Sequence, residues 1–161
     1  MEEQLIQAIQ LRNEGKTRES NKLLVELAEQ FPKDALVNYQ CAWSFDVLGD
    51  EAEAVPYYEK AIELGLSGKD LEGAIIGLGS TWRTLGEYKK SQNVFLNGIE
   101  LFPENRAIRV FYSMTLYNLN QHSQAMEILL RCLAETTSDE EISSYQKAIG
   151  FYAGDLDKVW N

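Results

Sequence analysis

Residues 72–103 read EGAIIGLGSTWRTLGEYKKSQNVFLNGIELFP. Ile75, Leu78, Gly79 and Trp82 recur at helical spacing, Gly86-Glu87 interrupts the run, and Ser91, Phe95 and Gly98 recur again before Pro103. The pattern is helix, tight turn, helix. Working outward, the same punctuation returns. Gly49-Asp50 and Gly154-Asp155 repeat the glycine–acid dipeptide, Gly15 ends an earlier apolar run, and Asn120 stands where a glycine would be. Successive turns from Gly15 to Gly154 lie 34, 37, 34 and 34 residues apart, and Pro32 and Pro103 lie 71 apart, one short and one long period. Gly or Asn suits the left-handed residue that ends a helix. An acid just beyond suits the start of the next helix, as cap or dipole partner.

The period predicts helices over 2–14 and 17–31, 35–48 and 51–64, 70–85 and 88–101, 105–119 and 122–135, and a last one over 139–153. The repeats are then 1–34, 35–68, 69–105 and 106–139, with a capping helix and stub over 140–161. The extra residues of the long period fall in Gly65–Asp70, where Ser67 and Asp70 form a capping-box pattern; Ser138 and Glu141 form another. Pro56 falls in the second turn of its helix, which an exposed face would tolerate.

A helix–turn–helix period of 34 resembles the tetratricopeptide repeat family, in its short bacterial form. The third repeat carries the family's pattern in Ile75, Leu78, Gly79, Trp82, Ser91, Phe95, Gly98 and Pro103; the second in Asn38, Cys41, Ala42, Phe45, Ala54, Tyr58 and Ala61. The fourth gives Arg109, Tyr112, Ser113, Leu116, Ala125, Leu129 and Cys132, and the first is looser, with Ala8, Leu11, Ser20, Leu24, Leu27 and Pro32. The resemblance implies an all-α right-handed superhelix, an α–α solenoid of about four helix pairs plus a carboxyl-terminal capping helix, forming one domain over 1–161. Such repeats bury their apolar faces only by stacking.

The composition narrows function by exclusion. The chain has 161 residues, 45% hydrophobic, with 25 acids against 15 bases and a formal net charge of −10. That balance disfavours nucleic acid and anionic membrane as partners. The start MEEQLIQAIQ is not a secretory signal, and no apolar run approaches a membrane span, so a cytoplasmic location is expected. His122 is the one histidine, and Cys41 and Cys132 sit at small core positions, which leaves no metal site, cofactor or catalytic residue to name. The run Gly73–Gly79 lacks a preceding strand and the Gly-Lys-Ser/Thr ending of a phosphate loop; its small residues suit close packing or close approach of a ligand backbone. An enzyme is not expected.

Family members are scaffolds that bind proteins or peptides along a concave wall of first helices. Carried over by register, that wall holds Leu5, Ile9 and Arg12; Tyr39, Trp43 and Asp46; Ile76, Ser80 and Arg83; and Val110, Met114 and Tyr117. The stripe is apolar, and Trp and Tyr are common anchors at interfaces. The Lys, Asn and Arg with which one branch of the family grips a terminal carboxylate are missing from the matching positions. The expected ligand is therefore an apolar helix or extended segment of a protein partner. A signalling-peptide sensor module and purely structural self-association are the alternatives. For the last, Tyr145, Ala148, Ile149, Phe151, Tyr152 and Trp160 form a candidate homodimer contact, unless the stub folds back and covers it. Asp50, Glu51, Glu53, Glu59 and Glu63 fall on a turn and an outer helix, so the net acidity is expected on the solvent-facing side.

Overall fold

A computed structural model describes residues 1–160. Among these, ten helices and no strand are present, consistent with a helical solenoid. Backbone contacts divide the chain into two compact units, 1–87 and 88–161, so the division falls in the turn inside the third helix pair.

The first unit contains α1 (Glu2–Asn13), α2 (Thr17–Gln30), α3 (Ala35–Leu48), α4 (Glu51–Glu63) and α5 (Gly68–Thr84). Each packs on the next, and α1, α3 and α5 also touch in sequence, forming a common wall. Leu24, Leu27, Val37 and Cys41 are fully buried together with Ala8. Each large apolar side chain removed from water in this way contributes about 1.5–3 kcal/mol. Small polar residues tie the layers: Ser20 Oγ donates to the Ala8 carbonyl at 2.7 Å, and Asn21 Nδ2 donates to Ser44 Oγ at 3.0 Å. Burial pushes the Cys41 thiol up to about 12, against a hydrogen bond with Tyr57 that lowers it.

The second unit contains α6 (Tyr88–Leu101), α7 (Arg106–Asn118), α8 (His122–Thr136), α9 (Glu140–Ser144) and α10 (Gln146–Ala153). Phe95 packs against Tyr112, with ring centroids 6.4 Å apart, and the Ser91 and Thr115 hydroxyls meet at 2.8 Å in the core. Cys132 is buried on α8, and burial raises its pKa too.

The turn chemistry follows the repeat. Gly49 and Gly86 adopt φ of +77° and +78°, and Asn120 joins them at +60°, the one non-glycine residue with positive φ among those described. Asp34 and Asn105, also 71 apart, each cap a first helix through a bond from the backbone N–H three residues on, at 2.8 and 3.1 Å. Pro56 lies on the exposed face of α4.

Four expectations need correction. Ser67, at the start of α5, makes no side-chain cap bond. The last helix is not continuous: Tyr145, at φ −99° and ψ 10°, separates α9 from α10. Its cap is Asp139, which accepts from Ile142 N at 2.9 Å, in place of the Ser138–Glu141 box. Gly154 has φ −88°, so the final turn is not left-handed. At the start of α9 a neighbouring acid thus caps the helix in place of the motif.

Candidate pocket on the first-helix wall

α3 and α5 enclose a pocket of about 450 Å³ that reaches in to Tyr58 of α4. Of the residues expected on the concave wall, Tyr39, Trp43, Asp46, Ile76 and Ser80 all line it. Their spacing along each helix puts them on one face, one turn apart. The Tyr39 and Trp43 rings stack with centroids 6.0 Å apart, and Tyr39 also lies 6.3 Å from the Tyr58 ring. Trp43 remains 41% exposed although it stands in the middle of this layer. Arg12 of α1 sets its guanidinium 3.9 Å from the Trp43 ring centroid and donates from Nη2 to Gln40 Oε1 at 2.7 Å.

The floor is polar. Asp46 accepts hydrogen bonds from the Tyr58 hydroxyl and, at 3.0 Å, from Thr81 Oγ1. Burial raises the Asp46 carboxyl to about 6, the two hydroxyls pull it back, and the neighbouring Glu51 carboxylate raises it further. Glu51 is thus half-buried beside the pocket, not on a solvent-facing outer surface as expected. Tyr58 is held well above the usual tyrosine range by burial and then by the Asp46 charge. The Ser80 hydroxyl oxygen is buried at the wall with no hydrogen-bond partner among the described residues.

Four lining residues, Val47, Tyr58, Gly73 and Gly77, lie outside the twelve wall residues named above. Tyr58 belongs to a second helix, where the repeat pattern reads it only as core. A methyl group on Gly77 would collide with the Tyr58 hydroxyl and ring, and one on Gly73 with the Tyr39 hydroxyl. These glycines let the two phenols lie against the α5 backbone. The signal was the Gly73/Gly77 spacing of one helical turn, whose close approach is to this chain's own tyrosines.

The remaining expected wall residues do not join the pocket. Leu5 is buried in the α1–α2–α3 core, and Ile9 packs half-buried against it. Arg83 lies farther along α5, half-buried. Val110, Met114 and Tyr117 are on α7 in the second unit; Met114 and Tyr117 are exposed, and the Tyr117 ring lies 4.8 Å from that of His122. At the carboxyl-terminal end Tyr145, Ala148, Phe151 and Tyr152 are exposed and Ile149 is half-buried. Trp160 folds back, with its ring 5.3 Å from Phe151 and 6.3 Å from Tyr152, and Ser123 donates to Asp157 at 2.6 Å. Among the described residues no cluster of three or more His, Cys, Asp or Glu could hold a metal ion. No helix there is long and apolar enough to cross a membrane.

The sequence profile of the tetratricopeptide repeat family matches residues 35–156. The chain belongs to that family. Two solved structures of MamA, a double mutant of the RS-1 protein and residues 41 to the end of the Desulfovibrio magneticus RS-1 protein, resemble this tetratricopeptide repeat protein with TM-scores of 0.71. Each is 16% identical, over 93% of this chain and 83% of theirs. YrrB, described as a protein of this repeat class with an unusual peptide-binding site, gives a TM-score of 0.63 at 17% identity, over 97% of this chain and 91% of its own. At such identities the likeness establishes the fold. No curated protein matches the sequence. The fold is one that typically serves as a protein–protein interaction scaffold without catalysis.

Proposed function

We propose that this tetratricopeptide repeat protein binds a helix or extended segment of a protein partner across the α1–α3–α5 wall, with Trp43 and Tyr39 as its anchors. The observation that carries this reading is the pocket itself. A half-exposed tryptophan stands beside an open cleft of about 450 Å³, walled by aromatic and aliphatic side chains and floored by a few polar groups. Concave, mainly apolar sites with convergent polar groups are what recognition usually requires. A buried aromatic anchor commonly contributes 2 kcal/mol or more to binding.

The test is an affinity pull-down with the wild-type chain, Trp43→Ala and Tyr117→Ala. Binding through the pocket predicts that Trp43→Ala loses the partner by about tenfold or more while Tyr117→Ala, in the other unit, retains it. Retention by both variants would remove the pocket reading. A partner that proves to be this chain itself would move the function to self-association through the aromatic carboxyl-terminal cluster.

A further inference from the structure

The chemistry of the pocket floor narrows what its occupant can be. Asp46 is partly buried, and its partners among the described residues are the two neutral hydroxyls of Tyr58 and Thr81 and the acid Glu51. Among the described residues no cation pairs with it, and a carboxylate drawn out of water without a counter-charge is costly to keep ionised. A second acid, Asp70, acts on the neighbouring Tyr39 together with Asp46. Arg12 acts on Tyr39 and Tyr58 but does not line the cleft; it is engaged through Nη2 with Gln40 and over the Trp43 ring, and its buried Nη1 has no hydrogen-bond partner among the described residues. Asp46 is therefore the charged group that lines the cleft, and Glu51 and Asp70 add negative charge beside its lining residues Asp46 and Tyr39. The wider unit points the same way: residues 1–87 hold 16 of the 25 acids but only 8 of the 15 bases.

The walls add a second requirement. Trp43 and Tyr39 present stacked rings, and Ile76 an aliphatic side chain, so the entrance favours a long apolar stem. Trp43 already serves as a platform for the Arg12 cation within the unit. Ser80 leaves a buried hydroxyl oxygen without a hydrogen-bond partner among the described residues, an acceptor in the lining of the same pocket. A side chain with an alkyl stem and a cationic tip meets all of these conditions together.

Resting on the reading above, we infer that the pocket takes one lysine or arginine side chain from an otherwise apolar partner segment, the stem lying on Trp43 and Ile76 and the cation neutralising Asp46. An acidic anchor would face the Asp46 carboxylate, and a purely aliphatic one would leave Asp46 without a counter-charge.

The probe is a displayed library of random twelve-residue peptides, selected against the full-length chain and against Trp43→Ala. The expected result is an enriched set that depends on Trp43 and carries a basic residue at one fixed position among apolar ones. A peptide from that set is then synthesised with the basic residue replaced by norleucine, and its affinity is measured by fluorescence anisotropy. A loss of about fivefold or more on the wild-type chain supports the inference; a smaller loss overturns it. Asp46→Asn, checked for native helix content by circular dichroism, should bind the basic and norleucine peptides within about twofold of each other. The wild-type comparison decides the matter even where that variant does not fold. Trp43-dependent peptides with no basic position would overturn this inference and leave groove binding standing. A library that yields no Trp43-dependent peptide would remove both.

Discussion

Tyr39, Trp43 and Asp46 of α3 correspond to Val110, Met114 and Tyr117 of α7, each 71 residues on, and Tyr58 of α4 corresponds to Leu129 of α8. In the second repeat these positions close on one another around a carboxylate, and Tyr58 is 2% exposed. In the fourth, Tyr117 turns to His122 and Leu129 stays 39% exposed. What differs is the helix that follows. Nine residues before its turn glycine, α5 has Gly77, which admits the Tyr58 ring against its backbone. The same count back from Gly154 reaches Tyr145, where the helix is broken. The surface of a repeat's first helix is therefore set partly by the repeat's successor, as stacking of neighbours requires.

The largest expected break in this comparison comes from truncating the paired side chains. Tyr58→Ala should cost about 3–5 kcal/mol, since it empties a fully packed aromatic site and strips Asp46 of a donor. Leu129→Ala should cost less than about 1.5 kcal/mol, since the side chain is far from fully buried. Urea denaturation of the two variants, followed by circular dichroism, measures the contrast; equal losses would mean the two repeats are packed alike.

Next come the glycines. Gly77→Ala forces the Tyr58 ring to move and should destabilise by about 1–3 kcal/mol. Gly150→Ala, in α10 with open space around it, should be neutral or stabilise by up to about 1 kcal/mol through helix propensity. Thermal melts of both variants suffice, and a stable Gly77→Ala chain would show that Tyr58 has somewhere else to go.

The smallest effect is electrostatic. Asp46 holds its proton more tightly when folded, near pH 6, than an ordinary carboxyl at about 4. Its contribution to stability is therefore full below about pH 4 and is lost as pH rises through about 6. The stability of the wild-type chain minus that of Asp46→Asn should fall across that window. A difference that rises with pH would place a counter-charge beside Asp46.

How much of this the sequence revealed depends on the range of the physics involved. The turns were legible because Gly49, Gly86 and Asn120 occupy a backbone region that most residues avoid. The wall residues on α3 and α5 were legible because one-turn spacing fixes a helix face. The bond from Thr81 to Asp46 spans 35 residues, and Tyr58 enters the pocket from a second helix. Neither follows from a period, since both depend on how far two helices approach. Leu5 shares the register of the wall yet is only 7% exposed, because α2 and α3 close over it. The break at Tyr145 carries no proline or glycine to announce it.

Cys41 and Cys132 are buried core thiols, one in each compact unit. Burial and a raised pKa make both slow toward alkylating reagents while their surroundings stay closed. Each is therefore a built-in clock for its own half of the molecule. The rate at which either is labelled, resolved by peptide mass, reports how often that half opens, with no engineered probe. A ligand seated on the α1–α3–α5 wall should slow the Cys41 clock and leave that of Cys132 running as before.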